Sequence, residues 1–213
     1  MLLALPAFSF PTLALRRPLR SELRIDVDLP PASLEAELAA LDRRLRTPGD
    51  ALHACATWPA PLPGLYFRHR EADGEHFVYV VDGASGRLAG YTVFNRLIEI
   101  DRRSDRHVRS PHSKYAPAWQ GRGLASAVYA WALARGICLV SGARQSPAAF
   151  ALWQSLGRRQ PLHYVDIRDK RIHDLGPSVD AARRDLLTTR MFLAGAGWTA
   201  TALRRAGVLH DAG

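Results

Sequence analysis

At residues 117–125, PAWQGRGLA, the chain changes its hydrophobic period, and few architectures accommodate that change. The stretch before it, residues 108–116, is a polar strand whose successive side chains fall on opposite faces. After it Leu124, Ala127, Val128, Trp131 and Ala134 recur at three- and four-residue spacing until Gly136 stops the run. The turn therefore delivers a strand directly into an amphipathic helix. The first amides of such a helix have no intrahelical acceptor and carry the positive end of its dipole. With glycines that let a ligand approach the backbone, they form a cradle for phosphate. Arg122 adds a guanidinium able to grip phosphate oxygens in bidentate fashion.

Two other phosphate loops do not fit. A P-loop requires a lysine after its second glycine, and none is present here. The dinucleotide fingerprint requires a third Gly or Ala where Ser126 stands, and an acidic residue about twenty positions on, where Ser141 stands.

The flanking segments give a mixed α/β order. Residues 33–46 place Leu34, Leu38, Leu41 and Leu45 at helical spacing, with Ser33 as candidate N-cap and Pro48-Gly49 as stop. Residues 58–64 (WPAPLPG) hold three prolines and read as a loop or lid. Residues 76–81 and 87–97 read as a hairpin closed by residues 82–86 (DGASG). A short buried strand follows at 137–140, then a helix opened by Pro147 with Ala149, Leu152, Trp153 and Leu156 on one face. Residues 163–168 read as a strand and residues 178–193 as a terminal helix.

Composition narrows the function classes. An apolar fraction of 47% with 23% charged residues excludes a disordered or collagenous chain. No apolar run reaches the roughly 20 residues of a membrane span. Cys55 and Cys138 are too few for a disulfide scaffold or a Cys-based zinc site, and both read as buried thiols of a reducing compartment. Residues 1–15 are apolar, but Pro6 and Pro11 interrupt them and Arg16 and Arg17 follow rather than precede them. That is the reverse of a secretory signal, so a cytoplasmic location is expected. Residues 1–105 carry 13 basic and 14 acidic side chains and residues 106–213 carry 16 and 6, so the net charge of +9 resides in the second half. Such a bias attracts polyanions: a nucleotide cofactor, nucleic acid or a membrane surface. Eight scattered histidines offer no metal-ligand spacing, and no Gly-x-Ser-x-Gly elbow marks a hydrolase.

Gln120, Gly123 and Ala125 satisfy the pattern Gln/Arg-x-x-Gly-x-Gly/Ala, with Pro117 three residues before Gln120. Downstream, Ser146, Ala149, Leu152 and Trp153, then Leu156-Gly157, follow the spacing Asn-x-x-Ala-x-x-Leu-Tyr…Leu-Gly. On these residues the chain resembles the GNAT superfamily of acyl-CoA-dependent N-acyltransferases over about residues 76–157. The resemblance implies a GNAT-like mixed central sheet with a splayed strand pair flanked by helices. It implies an acyl-CoA-binding domain at 33–175, an N-terminal extension at 1–32 and a C-terminal helical extension at 176–213 packed on the same domain. It further implies that the amides of Gly121, Arg122, Gly123, Leu124 and Ala125 hold the pyrophosphate of coenzyme A. The strand at 108–116 would splay from 137–140 and receive the pantetheine arm. The amides of Ser113 and Tyr115 would meet the pantetheine and the thioester carbonyl. Gln120 belongs to the same coenzyme set, and Ser146 stands where the family has an asparagine that contacts the cofactor.

The departures bear on catalysis. Trp153 occupies the position of the family's usual acid, a tyrosine, and an indole cannot protonate a thiolate. Arg158 stands where a phenylalanine normally follows the helix-ending glycine. No carboxylate stands at residues 106–109, where some members carry a glutamate base. His107 shares strand parity with Ser113 and Tyr115, and histidine is the residue type used most often as a general base. His112 faces the other way. Glu99 and Asp101 end the preceding strand within reach of the cleft, and Tyr115 and Tyr129 are the nearest phenols.

The expected activity is transfer of an acyl group, acetyl first, from acyl-CoA to an amine of an unidentified acceptor, without a metal. Two alternatives stand beside it. One is a catalytically impaired GNAT-fold protein that binds acyl-CoA as ligand or partner module. The other is a basic acyltransferase acting on a nucleic-acid-linked amine, which the charge of the second half suggests. A nucleic-acid-binding module without catalysis ranks last, because the chain has no recognised reader motif.

Overall fold

Alternating apolar residues in the first half and short apolar runs in the second give a 10-stranded mixed sheet, seen in a computed structural model that describes residues 31–212. The readings made of residues 1–30 lie outside the described residues. In chain order the first half holds α1 (Pro31–Arg46), β1 (Ala56–Pro59), β2 (Leu65–Ala72), β3 (Glu75–Asp82), β4 (Leu88–Asn95) and α2 (Arg102–Asp105). Then come β5 (Val108–Tyr115), a 3-10 turn at Pro117–Trp119, α3 (Leu124–Ala134), β6 (Cys138–Val140) and α4 (Pro147–Gly157). The chain ends with β7 (Leu162–Arg168), β8 (Arg171–Gly176), α5 (Ala181–Arg184), β9 (Thr189–Leu193), α6 (Ala200–Arg205) and β10 (Leu209–Asp211). The strand order is β1-β2-β3-β4-β5-β6-β9-β7-β8-β10.

Strand alternation sorts the core onto two faces. Val78 and Val80 of β3, Tyr115 of β5, Leu139 of β6 and Met191 and Leu193 of β9 pack beneath α3 and α4. On the other face Tyr79, Val81, Tyr91 and Val93 pack against Leu38 and Leu45 of α1. Val108, Cys138, Val140 and Phe192 pack there against Leu203 of α6. At about 25 cal/mol per Å² of apolar surface, these three clusters carry most of the favourable folding energy.

The sheet opens between β5 and β6 for a chemical reason. The two strands run parallel and register only at Val108↔Cys138 and Arg109↔Leu139. In that register the next rung would run from the N–H of residue 111 to the Val140 carbonyl, and Pro111 has no N–H to give. The ladder stops there, and the remainder of β5 diverges from β6.

Several expectations need correction. The segment 178–193, read as one helix, is the four-residue α5 followed by β9, which inserts between β6 and β7. All five residues of β9 are buried, so it has no alternation to betray a strand. The C-terminal part is therefore not a helical extension: it supplies a central strand, α6 and the edge strand β10. The proline-rich stretch at 58–64 begins as edge strand β1, where Trp58 packs edge-on to Trp131 of α3 with Arg135 stacked 4.3 Å over its ring. The first helix begins at Pro31, two residues ahead of the cap anticipated at Ser33.

Gly90 pairs with Tyr115 on the strand that borders the opening. A Cβ there would lie 2.6 Å from the Tyr115 Cα and 2.4 Å from the Lys114 carbonyl oxygen, both backbone. Gly90→Ala is therefore expected to force β4 and β5 apart. The cost should be about 3 kcal/mol, a fall of roughly 6–12 °C in Tm for a chain of this size. A thermal melt unchanged from wild type would contradict this close approach.

Candidate active site at the splayed strand

The backbone of β5 has one bonded edge and one open edge. Ala116 N–H donates to the Ala89 carbonyl at 3.0 Å, whereas the His107 carbonyl accepts from Cys138 N–H at 3.1 Å. Because β4 and β5 register without a shift, even-numbered backbone groups up to Ala116 face β4 and odd-numbered ones face the β6 side. Past Arg109 no strand lies on that side. The Tyr115 carbonyl is taken by Gln120 Nε2 at 3.0 Å. The N–H groups of Ser113 and Tyr115 point into the opening, and no described residue accepts from them.

A second set of open donors follows the 3-10 turn at Pro117–Trp119. Gly121 and Gly123 hold φ of +70° and +79°, the left-handed region that glycine adopts without steric cost. Gly123 is the N-cap of α3 and has no side chain to cap it. Ala127 is the first residue whose amide bonds back, to the Gly123 carbonyl at 2.9 Å, so the N–H groups of Leu124, Ala125 and Ser126 have no helical acceptor. A Cβ at Gly121 or Gly123 would meet no atom within 4 Å. Packing does not demand these glycines. Their conformation and the open space before them do.

The remaining anticipated coenzyme residues have defined partners. The Arg122 guanidinium lies 4.9 Å over the Trp119 ring at the edge of the turn. Ser146 caps α4, accepting from Ala149 N–H at 3.2 Å. Gln120 braces the end of β5 through the Tyr115 carbonyl rather than projecting outward.

Beneath α3 the odd side chains of β5 join a buried hydroxyl cluster. Thr92 Oγ1 lies 2.7 Å from Ser113 Oγ and 2.9 Å from the Tyr115 hydroxyl. Burial pushes the Tyr129 phenol up to about 12 and raises that of Tyr115 as well. Trp153 is 2% exposed and packs edge-on to Tyr129, centroids 6.1 Å apart, a core role.

On the α1 face the even side chains present chemistry. Lys114 Nζ pairs with Glu37 Oε2 at 2.7 Å, and the Tyr91 hydroxyl donates to the other oxygen of Glu37. Burial alone would raise the Glu37 carboxyl, but the hydrogen bonds from Lys114 and Tyr91 outweigh it and hold it low. His112, half-buried, lies on β5 between the part under α1 and Val108 under α6. Burial, with the Lys114 ammonium second, lowers its pKa, so the imidazole is neutral at pH 7.

The other candidate bases are placed less favourably. His107 precedes β5 and stacks edge-on to Trp198 at 5.0 Å, six residues or roughly 20 Å of strand from Ser113. Parity with Ser113 did not place it in the opening; it is at the wrong end of the strand. Glu99 is ion-paired with Arg190 at 2.9 Å, and Asp101 caps α2. Reading the strand by faces would have singled out His112, because the odd positions are filled by core residues. Glu37 had no local signal: only the docking of α1 brings it to Lys114. Among the described residues no cluster of His, Cys, Asp or Glu could hold a metal.

A mixed sheet, a strand pair that parts, and a glycine turn opening a helix beside the parting were implied together by the motif, and all three are present. These are the features that the resemblance to the GNAT superfamily implies. No family model matches the chain, and no curated protein does. Among solved structures, a phosphinothricin acetyltransferase of Sinorhizobium meliloti in complex with AcCoA is 16% identical. It covers 81% of this chain and 89% of its own, with a TM-score of 0.41. A spermidine N-acetyltransferase mutant of Vibrio cholerae is 18% identical over 62% of this chain and 71% of its own, TM-score 0.36. A cAMP-binding acyltransferase of Mycobacterium smegmatis is 10% identical over 85% of this chain and 60% of its own, TM-score 0.41. No helix among the described residues is long and apolar enough to cross a membrane.

Proposed function

We propose that this chain is an acyl-CoA-dependent N-acyltransferase, with acetyl-CoA as the donor. The observation that carries the reading is a pair of open backbone donor sets, Ser113 and Tyr115 on the splayed strand and, beyond the 3-10 turn, the uncapped start of α3. The two sets suit a ligand with an amide-bearing arm and a pyrophosphate. In this reading the acceptor amine approaches from the α1 face, and neutral His112 takes its proton directly or through a water. The amine attacks the thioester carbonyl. Charge develops on the carbonyl oxygen, where the Ser113 N–H is the preorganised donor. Coenzyme A then departs as thiolate.

Tyr129 is a poor proton donor for that departure. Burial raises its phenol well above the roughly 8.5 of a free thiol, so the transfer would run uphill. Solvent supplies the proton instead. Trp153, packed in the core, supports a second reading in which the protein binds acyl-CoA without turnover. Release of free coenzyme A in the presence of an amine panel separates the two.

Acetyl-CoA at a hundred times its Kd should stabilise the protein by about 2.7 kcal/mol, raising Tm by roughly 5–11 °C. Arg122→Ala should raise Kd by about ten- to a hundredfold, most strongly at low salt, by removing a charge-assisted contact. The absence of any shift for wild type at millimolar acetyl-CoA would sink the proposal. An unaltered Kd in the variant would mean that the guanidinium stays on Trp119 and that backbone donors suffice.

A further inference from the structure

On the far side of β6 from β5, a cavity of about 360 Å³ lies between α4 and the segment that leads into β9. Its floor is the α4 face of the sheet. Thr189 and Met191 alternate onto that face of β9, and Tyr164 of β7 is registered opposite Met191. Two polar atoms among the residues around the cavity are buried with no partner, Thr189 Oγ1 and Gln145 Oε1, and Thr189 is only 7% exposed.

The hydrogen bonds around Ser141 fix which end of Gln145 is left over. Ser141 Oγ donates to the Gly142 carbonyl at 3.3 Å and accepts from Met191 N–H at 3.0 Å. It can only accept again, and Gln145 Nε2 supplies that donor at 3.0 Å. The carbonyl oxygen of Gln145 is thus the unsatisfied end. The Gln145 carbonyl oxygen and the Thr189 hydroxyl are thus each left without a partner at this cavity, and leaving such buried groups unpaired is unfavourable. Arg190 is not that donor: its guanidinium is engaged by the Leu187 carbonyl and by Glu99. Around the mouth stand Arg184 and Asp185, one charge of each sign, with Phe150 and Leu186 forming apolar walls.

We propose that this cavity binds a free α-amino acid with an apolar side chain. Its ammonium group donates to Gln145 Oε1 and Thr189 Oγ1, with Asp185 adding a negative field. Its carboxylate meets Arg184, and its side chain lies along Phe150, Leu186 and Met191. The volume is at the small end of ligand cavities, which suits a molecule of that size.

The test is calorimetric titration of the whole chain, without acyl-CoA, by leucine, methionine and phenylalanine. Each is compared with the matching amine lacking the carboxylate and the matching acid lacking the amine. At least one amino acid should bind, its acid analogue should not, and its amine analogue should bind about tenfold more weakly or less. Thr189→Val should weaken binding at least tenfold. It should leave Tm of the free protein equal to or above wild type, because it exchanges an unpaired hydroxyl for a methyl of the same shape. Arg184→Ala, at an exposed position, should erase the preference for amino acid over amine. No binding by any of the three amino acids at millimolar concentration overturns the proposal, as does undiminished affinity in Thr189→Val or equal affinity for the bare amine. Because no acyl-CoA enters the assay, failure here leaves the acyl-transfer reading untouched.

Discussion

Replacing His112 by alanine is expected to lower the turnover of coenzyme A by about 10²–10³-fold, the usual loss when a general base is removed. The acetyl-CoA-dependent rise in Tm should persist, because the imidazole lies on the α1 face and the coenzyme donors lie along the strand edge and the turn. The pH profile carries the sign. Burial and Lys114 depress the His112 pKa below its ordinary 6.5, so the base form dominates above pH 6.5. The wild-type kcat/KM should therefore fall with acid only below about pH 6.5, and His112→Ala should lose that acidic limb. A further rise at high pH belongs to the acceptor amine. Trp153→Phe serves as the contrast, retaining most of the turnover because Trp153 only packs on Tyr129. A His112 variant with wild-type turnover would move the base to water or to the acceptor itself. A hundredfold loss in Trp153→Phe with coenzyme affinity intact would show that the indole shapes the reacting geometry.

Gly123→Val should abolish the acetyl-CoA shift altogether. A side chain at φ +79° costs about 1–2 kcal/mol of backbone strain, so the free protein should melt a few degrees lower yet stay folded. The space before Gly123 is open in the protein itself, so any loss of binding arises from collision with the ligand. Gly49→Val is the matched control: Gly49 has φ +87° and nothing within 4 Å, and it follows α1 rather than the turn. It should incur the same backbone cost and keep the full acetyl-CoA shift. Equal shifts in both variants would remove the turn from the coenzyme site.

The strand β5, its turn and the helix behind it were legible because their determinants are local. Glycine at positive φ, the start of a 3.6-residue period at Leu124 and the missing N–H of Pro111 act within a few residues of where they are written. The faces of β5 were equally legible, since alternation puts His112 and Lys114 opposite Ser113 and Tyr115. His107 has the parity of Ser113 but lies six residues before it along the chain. What only the tertiary structure decided is long-range. The insertion of β9 between β6 and β7 sets Thr189 and Met191 beneath α4. The docking of α1 on β4 and β5 brings Glu37 to Lys114 and Tyr91, over 77 residues of chain in the first case. Strand order and helix docking depend on which apolar faces find each other after the loops have closed. A strand buried on both faces, or a glutamate in the middle of a helix, carries no local mark of its eventual neighbour.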